Sequence, residues 1–114
     1  MLVRLGRNST EIELPTPVNV APKASNVTVV GTAEVGQVLT GNYNYSDENS
    51  DREGISTFKW YANGVEIPGA TSLTYTLTPT DLGKTIQFQV TPVAQSGVLK
   101  GSAIKSAPTN PVTP

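Results

Sequence analysis

From residue 26 onward, apolar and polar residues alternate in short runs, each closed by Gly, Asn, Asp or Pro. A period of two, rather than 3.6, marks strands with one buried face. The runs are NVTVVG (26–31), QVLTGNYNY (37–45), TFKWYA (57–62), VEIP (65–68), SLTYTL (72–77), TIQFQVTPV (85–93) and SAIKSA (102–107). In the second, Leu39, Gly41, Tyr43 and Tyr45 share one face. In the third, Phe58 and Trp60 point one way and Tyr61 the other. Leu73, Tyr75 and Leu77 form the next inward set, with Thr74 and Thr76 outward, and Ile86, Phe88 and Val90 form the last. Asn63-Gly64 is the strongest hairpin signal, because a type I′ turn needs positive φ at both central residues. About seven strands at this spacing predict an all-β antiparallel sandwich. Its expected core is Leu39, Phe58, Trp60, Tyr75, Ile86, Phe88 and Val90. Trp60 alternates in phase with Phe58 on a mid-chain strand, so it is expected to fill that core rather than line a ligand site.

Ahead of the strands, residues 1–14 read as a small hairpin. LVRL and EIEL alternate around the turn GRNS, and an isolated two-stranded hairpin is marginal in water. It needs the main domain or a partner to complete it. Alternating arms of this kind add strands to an exposed sheet edge, where main-chain hydrogen bonds supply affinity. Leu2, Val3, Arg4, Leu5, Glu11, Ile12, Glu13 and Leu14 are therefore the candidate partner-binding residues. Residues 15–25, PTPVNVAPKAS, read as an extended linker. The division expected is arm and linker over 1–21, sandwich over 22–107 and Pro-rich tail over 108–114.

Composition narrows the function. The 114 residues include ten Gly and nine Pro but no Cys or His, and the net charge is −1. Near-neutrality gives no support for nucleic acid or for an anionic membrane as partner. No run approaches the roughly 20 apolar residues that span a bilayer. MLVRLGRNSTEIEL lacks the apolar run and cleavage pattern of a signal peptide, so the chain is read either as needing no such export or as a piece of a larger exported protein. Nucleophilic catalysis needs an activated Ser, Thr, Cys or Lys beside a base, and no motif supports one. The protein is expected not to be an enzyme and to need no cofactor.

The loop SDENSDREG (46–54) gathers the acids. Asp47, Asn49, Asp51 and Glu53 alternate and offer the oxygen ligands that Ca²⁺ takes, although the Gly and Glu spacing is not that of an EF-hand. A solvated inter-strand loop is the plainer reading. Asn-x-Ser/Thr triplets at Asn8, Asn26 and Asn44 are read as chance in a Thr- and Ser-rich chain.

The stretch from Val35 to Val93 also resembles the immunoglobulin-like repeats of large bacterial surface and extracellular proteins. The resemblance rests on VG-x-x-L-x-G-x-Y, EG-x-S after the acidic loop, WY, I-x-GAT, YT-x-T-x-x-D-x-GK-x-I and VTP, over roughly residues 22–106. Similar modules are carried by structural proteins of tailed bacteriophages. The resemblance implies an immunoglobulin-like sandwich used for spacing, adhesion or display, with no shared catalytic residues. It also places Leu39 and Phe88 or Val90 where a disulfide might otherwise pin the two sheets.

Two functions are expected from this reading. One is a virion decoration or accessory subunit, displayed on the particle surface and anchored by its N-terminal arm to capsid or another virion protein. The alternative is a spacer or adhesion module of an extracellular or bacterial cell-surface protein, joined to neighbouring domains of the same chain. Weak binding to a host cell surface, or calcium in the acidic loop, fits either.

Overall fold

The computed structural model describes residues 20–96 and 100–114. Among these residues seven strands form two sheets: β1 (Lys23–Val30), β2 (Val38–Ser46), β3 (Thr57–Ala62), β4 (Val65–Glu66), β5 (Thr74–Thr76), β6 (Ile86–Thr91) and β7 (Ile104–Lys105). One sheet has the order β1-β2-β5 and the other β4-β3-β6-β7, with all strand pairs antiparallel. This is the expected antiparallel sandwich, and no α-helix occurs among the described residues. The hairpin expected over residues 1–14 lies outside the described residues.

The core follows the alternation. Leu39, Trp60, Ile86, Phe88 and Val90 are completely shielded from solvent. Phe58 and Tyr75, also expected in the core, are half-buried and pack against its rim. Trp60 stacks on Tyr75 with ring centroids 5.7 Å apart and meets Phe88 at 5.1 Å. Its indole N–H donates to the Ser72 carbonyl at 2.8 Å, which satisfies the ring's one polar group inside the core. Gly41 sits opposite Phe88, where an added Cβ would stand 2.5 Å from the ring. The missing side chain is what lets the two sheets close over that aromatic.

The turns follow local chemistry. Asn63 and Gly64 take φ of 48° and 80°, and Ala62 pairs with Val65 across them. The Asn63 side-chain carbonyl accepts from the Thr85 N–H at 2.9 Å, tying this turn to the start of β6.

Three features differ from the alternation. β1 begins at Lys23, inside the segment expected to be linker, and carries a bulge between Ser25 and Thr28. Asn26 takes φ of 51° there, and the extra residue re-phases the strand so that Ala24, Val27 and Val29 all pack on the core. Leu73, expected inward, is 39% exposed because it precedes the three residues that pair as β5. Finally, the Pro-rich tail expected over 108–114 is part of the sandwich, since Val112 is 2% exposed and belongs to the core cluster.

Candidate functional site

The chain comes into the sandwich at one end and leaves it at the other. At the leading end the Val20 N–H donates to the Asn49 side-chain carbonyl at 2.7 Å, beside the 47–56 loop. At the trailing end, residues 112 and 113 lie between the 33–35 loop and the 82–84 corner.

The acidic loop at the leading end folds back on itself. Asp47 Oδ1 accepts from the Asn49 N–H at 2.8 Å, the Ser50 N–H donates to the Asp47 carbonyl at 2.9 Å, and Ser50 takes φ of 60°. This Asx-type turn breaks the extended comb on which the calcium reading depended. Glu53 is turned inward instead. Its Oε2 accepts from the Tyr43 hydroxyl and, at 2.6 Å, from Ser56 Oγ, which itself accepts from the Val93 N–H at 3.0 Å. Asn49 spends its carbonyl on Val20. The structure therefore does not bring Asp47, Asn49, Asp51 and Glu53 to one point. No set of three or more acidic groups is gathered to hold a metal among the described residues. Asp47 Oδ2 and Asp51 Oδ2 are buried without a hydrogen-bond partner, and with Glu53 they raise the pKa of Tyr45, whose burial is the larger cause.

Ser56 and Glu53 have the contact of a hydroxyl and its base, but the arrangement is structural. The Ser56 side chain is buried, and both its hydrogen-bonding capacities are used within the fold. Asp81 is similarly engaged at the other end. Its Oδ2 accepts from the Tyr75 hydroxyl at 2.7 Å and from the Thr78 N–H at 2.9 Å.

Burial, together with the carboxylate that each one meets, pushes Tyr43 and Tyr75 up. Burial, then the hydrogen bond to Glu53, raises Tyr43 to about 12, and burial with the bond to Asp81 does the same for Tyr75. A folded-state pKa above the unfolded value of about 10 means the contribution is intact below pH 10 and lost as pH rises through 12. The urea midpoint is expected to fall steeply across that window. The decline should be shallower in Tyr43→Phe and Tyr75→Phe proteins, measured at matched pH.

Tyr61, which points away from Phe58 and Trp60, is half-buried. Its ring lies beneath Lys105 Nζ at 3.8 Å, and its hydroxyl donates to Gln89 Oε1 at 3.0 Å. One face of that ring is thus covered by Lys105. A groove of about 350 Å³ opens between the start of β1 and β7, lined by Val20, Pro22, Ala24 and Ile104 among others. The candidate partner-binding residues Leu2, Val3, Arg4, Leu5, Glu11, Ile12, Glu13 and Leu14 lie outside the described residues.

The feature that sequence reasoning missed is the trailing end. Val35 N–H donates to the Thr113 carbonyl at 2.9 Å, and Thr113 N–H to that of Ala33 at 3.0 Å. On the other side Gly83 N–H donates to the Val112 carbonyl at 2.8 Å, and Val112 N–H to that of Lys84 at 3.0 Å. A single apolar residue between Pro111 and Pro114 carries no periodic signal that would have revealed this.

Comparison with known proteins adds one finding. The sequence pattern of the AIR9 A9 domain, an immunoglobulin-like family, matches residues 23–106. No curated protein and no solved structure matches the chain.

Proposed function

Because the chain belongs to the AIR9 A9 domain family, we propose that it is a non-catalytic spacing and display module. The observation that carries this reading is the placement of its two ends. The polypeptide comes in beside the acidic loop and leaves beside the 82–84 corner, at opposite ends of the strands. A module threaded in this way sets its neighbours apart by its own length. The fold's polar networks support the same reading, since the Ser56–Glu53 and Tyr75–Asp81 groups are spent on holding loops in place. Display falls to the exposed loops, including Ile55, which is 86% exposed at the leading end.

The test is small-angle X-ray scattering on one, two and three copies of the chain joined head to tail. Spacing modules should lengthen the particle by a near-constant increment per copy. A maximum dimension that stops growing between two and three copies would reject the reading. The arm-anchored virion subunit is the competing proposal and rests on residues 1–14. It requires that deletion of those residues abolish capture by capsid or other virion protein while the sandwich stays folded.

A further inference from the structure

The spacing reading leaves open whether the module merely separates its neighbours or also resists being pulled apart, and the trailing end bears on this. Residues 112 and 113 form a short extended piece with partners on both sides. Thr113 bridges Glu34 in parallel, and Val112 bridges Leu82 in parallel. Four backbone hydrogen bonds of 2.8 to 3.0 Å hold it, with the Val112 side chain sunk in the core beneath them. The Thr113 hydroxyl adds a contact to the Ala33 carbonyl at 3.3 Å. This piece lies beyond the residues that match the family pattern.

The direction of the chain decides what those bonds experience. β1 runs from the leading end to the trailing end and delivers residues 33–35 there. Pulling the chain before Val20 therefore draws residues 33–35 back toward the leading end. Pulling the chain after Thr113 draws residues 112–113 the opposite way. The two segments are parallel neighbours, so their hydrogen bonds lie across the load and must yield together. In a pair of strands peeled from one end, bonds yield singly. Here the buried Val112 must also leave the core before the piece can slide.

We infer that residues 112–113 are a tension clasp, and that this module carries pulling force along the chain. The inference rests on the spacing reading, which supplies the direction of the load. Its consequence is directional. The same hydrogen bonds resist strongly when the two chain ends are pulled and weakly when the last residues are peeled sideways.

The test is single-molecule force spectroscopy on the full chain along two axes. The first attaches handles at the two chain ends. The second attaches them at the C-terminal end and at Val65→Cys, a unique thiol because the chain has no Cys. Val65 is exposed on β4 beside the Asn63 turn, at the same end as the clasp, so this axis peels it. At matched pulling speed the end-to-end unfolding force should exceed the second by at least roughly twofold, since forced unfolding reads the barrier along the pulled direction. Thr113→Pro removes the N–H that donates to Ala33 and should lower the end-to-end force toward that of the second axis, which it leaves unchanged. Equal forces along the two axes in the unaltered chain would overturn the inference, as would an unchanged end-to-end force in the Thr113→Pro protein. The axis comparison needs no clasp variant to fold. Equal forces would leave the spacing reading standing, because scattering from joined copies decides that separately.

Discussion

Trp60→Ala is expected to cost about 3–5 kcal/mol, the range for emptying a large aromatic site in a packed core. Trp60 is wholly shielded and occupies the space between Tyr75 and Phe88. Its loss leaves a cavity that the flanking β-strands cannot close, because Trp60 is paired in register with Phe88 on the central β3–β6 ladder. It also leaves the Ser72 carbonyl without its donor. Small domains carry about 5–15 kcal/mol of total stability, so the loss takes a large share of it and should lower the thermal midpoint by roughly 10–30 °C. Circular dichroism on heating is the measurement, since Trp60 is the chain's only Trp and its fluorescence is lost with it. Trp60→Phe separates volume from the hydrogen bond, and should retain a cooperative transition at a lower midpoint. A midpoint for Trp60→Ala within a few degrees of the parent's would mean that the ring does not hold the sheets together.

The part of the fold legible in the sequence is the part where burial imposes a period. β2, β3 and β6 each have one dry face, so Leu39, Trp60, Ile86, Phe88 and Val90 could be assigned from alternation alone. The Asn63-Gly64 turn was equally legible, because few other residues tolerate its dihedral angles. Where a side chain or a bulge overrides the period, alternation misleads. Asn26 shifts the phase of β1, so the spacing from Ala24 to Val27 looks irregular although both pack on the core. Asp47 folds its loop with a local hydrogen bond, and the oxygen comb written in the sequence is not assembled in space. Val112 had neither period nor company. A lone Val between prolines looks like a tail until the fold supplies partners on both sides of it.

The corner that faces Val112 depends on a single carboxylate, and Asp81→Ala is expected to cost about 2–3 kcal/mol, because it removes a charged acceptor that three part-buried donors share. Asp81 is only 4% exposed, and one oxygen serves the Tyr75 hydroxyl, the Thr78 N–H and, at 3.1 Å, the Thr78 hydroxyl. The bond to Thr78 also starts the 3₁₀ turn Pro79–Asp81 in the manner of an N-terminal cap. That turn presents Gly83, at φ 78°, whose N–H holds the Val112 carbonyl. Asp81→Asn keeps an acceptor in place and should cost about 1 kcal/mol, and Tyr75→Phe, which removes one donor without stranding another, should cost a similar amount. Urea unfolding of the three variants checks the order. An Asp81→Ala protein no less stable than Tyr75→Phe would show that the corner stands without its carboxylate. Because Tyr75 also stacks on Trp60, the Asp81→Ala and Trp60→Phe effects should not add. A double-mutant cycle that closes to zero would separate the corner from the core and confine the carboxylate's role to the turn.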